Sequence, residues 1–278
     1  MAQASVAGSS QTRQSEVREG TARLRRRQRR NDLTVRLIAA AVVVAAWEVG
    51  GRMISPFLFA PPSRIVAAGI DLIQTGELWK YLSVSLKVFA VGMVAGTAAG
   101  VAIGVATARI RLLDLSLEPF IIALYSTPMV ALIPLVVIWA GFGDQAKMVI
   151  IFLFAIFPIL LNTYQGVKGV EPRFLEVARS FRSSERALWL DVIVPSALPF
   201  IVAGVRLALG RALVGMVVAD LYTAVSGVGY LIVRYAQNLQ IDRVLVPVVI
   251  LSMMGVTLVQ GLRWLEVKVA PWTHGIDD

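Results

Sequence analysis

Cysteine is absent from the sequence, and histidine occurs once, at His274. Without cysteine there is no disulfide framework, thiolate zinc site, iron–sulfur ligation or thiol nucleophile. One histidine leaves no cluster for a metal and disfavours a Ser–His–Asp arrangement. No G-x-x-x-x-G-K-[ST] run occurs, so the chain carries no P-loop for ATP. Charge is scarce too: 16% of the 278 residues are charged, 57% are hydrophobic, and the mean hydropathy is +0.72. Soluble domains average about 45–50% apolar and about 25% charged residues. The composition therefore excludes an ordinary soluble enzyme and indicates an all-α, polytopic membrane protein, with room for roughly six spans of about 20 residues.

The net charge of +9 is concentrated at the N-terminus, where residues 1–36 hold nine arginines against Glu16, Glu19 and Asp32. Residues 1–32 read as a disordered basic tail. Its Arg25–Arg30 run could meet anionic lipid, but the positive-inside rule accounts for it, and no nucleic-acid partner is expected. The apolar run from Leu37 to Trp47 continues past Glu48 to Arg52, an i,i+4 pair that can neutralise itself. It reads as an uncleaved first span rather than a removed signal.

Four stretches are free of charge: Val88–Ala108, Pro119–Gly143, Met148–Val167 and Val244–Leu262. Two further spans, 33–55 and 196–221, carry charges; the second contains Arg206, Arg211 and Asp220. Six spans put both termini on one side. With the N-terminus inside, cytoplasmic segments hold 18 basic residues and external ones seven, Lys147 among the latter. In the external segment 56–87, Ser63 is expected to cap a short amphipathic helix that Gly76 ends. Gly92, Gly96, Gly100 and Gly104 form a small-residue stripe for close approach of another helix. Tyr125, Ser126, Thr127, Pro128 and Met129 suggest a distorted, pathway-lining third span, with a simple kink as the alternative. Arg206 and Arg211 have no acidic residue near in sequence until Asp220 and could line an anion pathway; the alternative is snorkelling to lipid phosphates. Tyr222–Ile232 reads either as a re-entrant hairpin or as a glycine-rich turn.

The longest internal cytoplasmic loop runs over residues 168–195. Phe174, Val177, Ala178 and Phe181 recur at i, i+3, i+4, i+7 and form one apolar stripe. Arg173, Glu176, Arg179 and Arg182 surround it. Ser184 can cap a second helix carrying Leu188, Trp189, Val192 and Ile193, expected to stop before Pro195. An exposed amphipathic helix pair of this kind is a docking element.

The stretch EVARSF (Glu176–Phe181) followed by DVIVPSALP (Asp191–Pro199) resembles the E-A-A loop of ABC importer permeases. Glu176, Ala178 and Pro195 match in register, Val177 and Val194 are conservative departures, and Arg182 stands where the family usually has glycine. The resemblance to permeases of the nitrate/sulfonate/taurine group extends over Ala131–Phe181, Gly204–Ile232 and Trp47–Ser63, and so over about residues 33–268.

The resemblance implies a type I importer permease domain over 33–268, with a cytoplasmic C-terminal tail at 269–278, in a bacterial inner membrane. It implies a homodimeric pore, two cytoplasmic ATPases and an external substrate-binding protein. ATP and Mg would sit on the ATPases, with no cofactor on this chain. Arg173, Phe174, Glu176, Val177, Ala178, Arg179, Phe181, Arg182 and Pro195 become the ATPase-coupling residues. Tyr125, Ser126, Pro128, Met129, Arg206, Arg211 and Asp220 become candidates for the pathway. The expected function is alternating-access import of a small, anionic solute (nitrate, sulfonate, taurine, bicarbonate or carboxylate). An ATPase-independent secondary transporter is the alternative, disfavoured because no internal repeat or buried Glu pair is evident. A membrane-embedded enzyme would need a positioned acid–base or metal set, which the spans lack.

Overall fold

A computed structural model of the chain describes residues 34–223 and 225–269. The basic tail of residues 1–32 and the C-terminal tail beyond Val269 lie outside the described residues. Every regular element among the described residues is helical. Those up to Arg64 form one compact unit and those from Ile65 onward another.

The first unit is built on α1 (Thr34–Met53). Glu48 and Arg52 pair at 2.6 Å, as the i,i+4 spacing requires. Glu48 also accepts from Ser63, through Oγ at 2.6 Å and the backbone N–H at 3.0 Å. Ser63 is thus tied to Glu48 rather than capping a helix. Trp47 Nε1 donates to the Ala60 carbonyl at 3.1 Å. The return of the chain needs Gly51, where a Cβ would stand 2.8 Å from Pro61 Cα.

The helix α2 (Pro62–Gln74) begins at a proline whose missing N–H costs the first turn nothing. Gly76, at φ 72°, turns the chain into α3 (Glu77–Arg109). That helix starts well before the expected Val88, so Lys80 and Lys87 lie within it rather than ahead of it. The four-glycine stripe of α3 meets α6 (Asp144–Lys168). A Cβ at Gly92 would fall 2.7 Å from Ile151 Cβ, and one at Gly96 2.8 Å from Ala155 Cβ. In lipid, helices gain nothing from leaving one apolar medium for another, so close backbone approach and dispersion hold them. The central core is this seam plus α8 (Glu185–Thr223): Val88, Phe89 and Met93 pack on Ile151, Ala155 and Ile159, and on Ala208, Ala212 and Met216.

The third span is not one helix. It divides into α4 (Arg111–Ser126) and, after a 3-10 turn at Met129–Leu132, α5 (Ile133–Ala140). The two parts are bent by 89°. Thr127 precedes Pro128 and is extended, as residues before proline prefer. The hydroxyls of Ser126 and Thr127 donate back to the Ile122 and Ala123 carbonyls at 2.9 and 3.0 Å, satisfying groups near the break.

The segment after α7 (Pro172–Ser180) also departs from expectation. Ser184 does cap, its Oγ accepting from Ala187 N–H at 3.2 Å. The helix then does not stop before Pro195. It continues through a π-helical turn at Leu188–Ile193 into the rod that ends at Thr223. In the widened turn Val194 N–H bonds the Trp189 carbonyl, just before Pro195, which has no N–H to give. A separate short helix, α9 (Val228–Gln237), precedes α10 (Ile241–Val269). At about 15 Å, α9 is too short to cross a bilayer. Among the described residues, five helices (α1, α3, α6, α8, α10) are long and apolar enough to span, and the bent α4–α5 pair makes up to six.

Candidate functional site

A cavity of about 260 Å³ opens where the third span breaks. Tyr125, Thr127 and Met129 come from the break, Leu153, Phe154, Phe157 and Pro158 from α6, and Arg211 and Val214 from α8. Arg211 Nη2 donates to the Tyr125 hydroxyl at 2.8 Å, and its guanidinium lies 4.7 Å from the centre of the Tyr125 ring. The site thus offers an arginine held by a neutral hydroxyl and an aromatic face, without a carboxylate partner among the described residues, between apolar walls. Such a cation can exchange the hydroxyl for an anion. Of the residues suggested for a pathway, Tyr125, Met129 and Arg211 meet here. Ser126 and Pro128 shape the break but do not line the cavity. Thr127, part of the same stretch, lines it too, whereas Phe154 and Phe157 carry no signal in the sequence, because nothing there shows which faces of α6 and the bend converge.

Arg206 lies elsewhere. It forms an ion pair with Glu266 of α10. The sequence distance to Asp220 concealed this partner, which the fold brings from the last span. Asp220 is also away from the cavity. It is fully buried and pairs with Lys147 at 2.8 Å, with both side chains at 0% exposure. Lys147, counted in the sequence as an external loop cation, belongs to the first turns of α6 and is enclosed by protein. Its Nζ also donates to the Ser226 carbonyl at 2.6 Å and the Ser226 hydroxyl at 2.9 Å. Ser85 Oγ donates to Asp220 Oδ2 at 2.6 Å and accepts from Val228 N–H at 2.8 Å. Nearby, α9 is tied to α3 by Glu77, which accepts from Arg234 and from the Tyr235 hydroxyl, each at 2.6 Å. Burial, with that hydrogen bond, pushes the Tyr235 phenol up to about 12.

The other end of α8 carries the loop. The apolar residues of α7 divide between two faces. Leu175 and Ala178 turn inward onto Val170, Leu188 and Ile193. Phe174, Val177 and Phe181 turn outward and are 49%, 57% and 82% exposed. Ala178 is therefore a packing residue, and the outward stripe is narrower than the spacing suggested. Arg173, Glu176, Arg179 and Arg182 are exposed around it. Pro195 lies in the α8 rod rather than at a free end. The turn after α7 is a Schellman motif: Arg182 N–H bonds the Arg179 carbonyl at 2.8 Å and Ser183 N–H the Ala178 carbonyl at 3.1 Å. Arg182 occupies its left-handed position at φ 53°. Arg109, at the end of α3, pairs with Glu185 at 2.7 Å and lies over the Trp189 ring, joining the loop to the spans.

Residues 96–271 match the family described as binding-protein-dependent transport system inner membrane component. The chain belongs to this family. The permease is 35% identical over 243 residues to SsuC of Bacillus subtilis, described as a transport permease for aliphatic sulfonates, with 87% of this chain and 88% of that one covered. It is 30% identical over 250 residues to the taurine transport system permease protein TauC of Escherichia coli, covering 87% and 90%. It is 28% identical to the formylaminopyrimidine transport permease protein ThiX of Halalkalibacterium halodurans, covering 83% and 92%. A solved amino acid ABC transporter with histidines superposes with a TM-score of 0.54 at 14% identity, covering 73% of this chain and 97% of that one, and so shares the fold. The permease is accordingly a multi-pass inner-membrane transport component of the ABC importer type, and the relatives named are transport permeases rather than enzymes.

Proposed function

We propose that the permease forms, as a homodimer, the pathway of an ATP-driven importer for a small anionic solute, working by alternating access. Two cytoplasmic ATPases would bind ATP and Mg, and an external binding protein would deliver the solute. Both termini face the cytoplasm in this reading. The observation that carries it is the outward stripe of Phe174, Val177 and Phe181, rimmed by charge and fixed to α8 through the packed Leu175, Ala178, Leu188 and Ile193. Three exposed apolar groups on a short helix suit a groove on a partner, with a phenylalanine as anchor. A push on α7 reaches α8 through that packing, and α8 runs from Glu185 through the π turn into the span without a break. The Arg211–Tyr125 cavity supports an anionic solute.

The reading is tested by copurification from mild detergent with a C-terminal tag. A P-loop ATPase is expected at about one per permease chain, and lost in Phe174→Asp while the permease stays folded and dimeric. Transport by the permease alone would overturn the reading.

A further inference from the structure

The buried group around Asp220 is not used by the reading above, and its geometry is specific. The Lys147 ammonium donates to the Ser226 carbonyl at 2.6 Å and the Ser226 hydroxyl at 2.9 Å, and it lies 2.8 Å from Asp220 Oδ1 as an ion pair. The second carboxylate oxygen of Asp220 takes Ser85 Oγ at 2.6 Å and Gly229 N–H at 3.3 Å. Ser85 in turn holds Val228 N–H at 2.8 Å. One network therefore joins α3, α6, α8 and the start of α9. The chain closes over the carboxylate only because two glycines stand there. A Cβ at Gly227, whose φ is 95°, would lie 2.3 Å from Asp220 Oδ2, and one at Gly229 would lie 2.5 Å from Asp220 Cβ.

The network also has a definite place relative to the cavity. Phe154 lines the cavity and belongs to an apolar cluster with Ile133, Val137, Ala146, Ile150 and Ala219. Lys147 and Asp220 directly follow Ala146 and Ala219. The charges thus sit at the far side of an apolar plug from Arg211. Residues 225–227 precede the first turn of α9, and Lys147 of α6 holds Ser226 there. A buried ion pair is a poor source of stability compared with apolar packing, and a better device for fixing one arrangement against another.

We propose that Lys147, Asp220 and Ser85 are positioning residues for transport: they hold residues 225–229 across this end of the pathway in its closed arrangement, and that end opens by releasing this one network. The proposal rests on the importer reading for its consequence but not for its geometry. Weakening the network makes the opposite arrangement, to which ATP drives the spans, easier to reach. The decisive variant is Lys147→Met/Asp220→Asn, which removes both charges and keeps side-chain volume and an acceptor for Ser85 and Gly229.

The permease is reconstituted with its ATPase in liposomes, without the external binding protein, and ATP turnover is measured. The double variant is expected to turn over ATP at least threefold faster than wild type, and Ser85→Ala about twofold faster. Wild-type or lower turnover in assembled complexes overturns the proposal. Hydrogen exchange on the purified permease reads the positioning directly. Residues 225–230 are expected to exchange at least tenfold faster in the double variant, with 151–159 unchanged. No change, or an equal rise in both segments, overturns it. If no ATPase assembles, the importer reading falls, while the exchange experiment still decides the network.

Discussion

The two ends of α8 treat charged and apolar side chains in opposite ways. At its Thr223 end, a lysine and an aspartate are enclosed without any exposed surface. At its Glu185 end, Phe174 and Val177 of the adjoining α7 and Phe181 just after it stand out of the protein. Each arrangement is costly alone. A buried charge without a partner is expensive, and exposed aromatic surface invites association. The first cost is met inside the chain, by Ser85, Ser226 and Gly229. The second has no counterpart among the described residues, which is what a docking element for another protein requires. Damage at the first end should therefore be felt in stability as well as in turnover, and damage at the second in function alone.

The largest expected effect tests the closed end. Asp220→Ala leaves the Lys147 ammonium among protein atoms without its counter-ion and should cost about 3–5 kcal/mol. A large fall in melting temperature in detergent is the measurement. The paired Lys147→Met/Asp220→Asn variant should lose much less, since no charge is stranded. Equal losses would mean that volume, not charge, matters there.

The exposed end should show the reverse pattern. Phe174→Asp or Phe181→Asp places a charge on a surface already in contact with solvent, so melting should be almost unchanged. Uptake should fall at least tenfold, equivalent to about 1.4 kcal/mol of lost coupling. A variant that melts early yet still transports would erase the contrast between the two ends.

The two arginines of α8 sharpen the comparison further. Arg211 is held only by a hydroxyl and a ring, Arg206 by a carboxylate. Arg211→Gln should raise the KM for an anionic solute several-fold in reconstituted uptake with little loss of stability. Arg206→Gln should leave KM unchanged and lower the melting temperature, because Glu266 loses its counter-ion. An identical response from both would remove the distinction.

These contrasts were legible in the sequence to different depths. Composition and charge-free runs gave the helical membrane architecture, because the bilayer fixes span length. The glycine stripe of α3 announced a close helix contact, since four small residues at i, i+4 spacing can lie on only one face. Which helix it meets was not readable; the fold supplies Ile151 and Ala155. The loop was legible as an amphipathic pair, but spacing alone could not assign Ala178 to the inner face and Phe181 to the outer. The Lys147–Asp220 pair joins residues far apart in the chain, so Lys147 looked like a loop cation beside Asp144. Arg206 looked unpaired for the same reason. The bend at Thr127–Pro128 was visible as a distortion, yet not as a right-angled break. Hydropathy averages over the break, because α4 and α5 are each apolar.

The smallest effect concerns Arg182, where sequence and structure meet most directly. A Schellman turn needs its final residue in the left-handed region, and Arg182 adopts φ 53° there. A side chain in that region costs roughly 1 kcal/mol relative to glycine. Arg182 keeps the turn despite this, because the two closing hydrogen bonds to Arg179 and Ala178 are formed and Ala178 is anchored by the cluster beneath it. Arg182→Gly should therefore stabilise the loop by about 1 kcal/mol, read as slower hydrogen exchange at Arg179–Ser184. Uptake should change little if the turn geometry alone matters. If the arginine also meets the ATPase, Arg182→Gly should lower uptake while protecting the loop, and Arg182→Lys should restore most of the uptake without the protection.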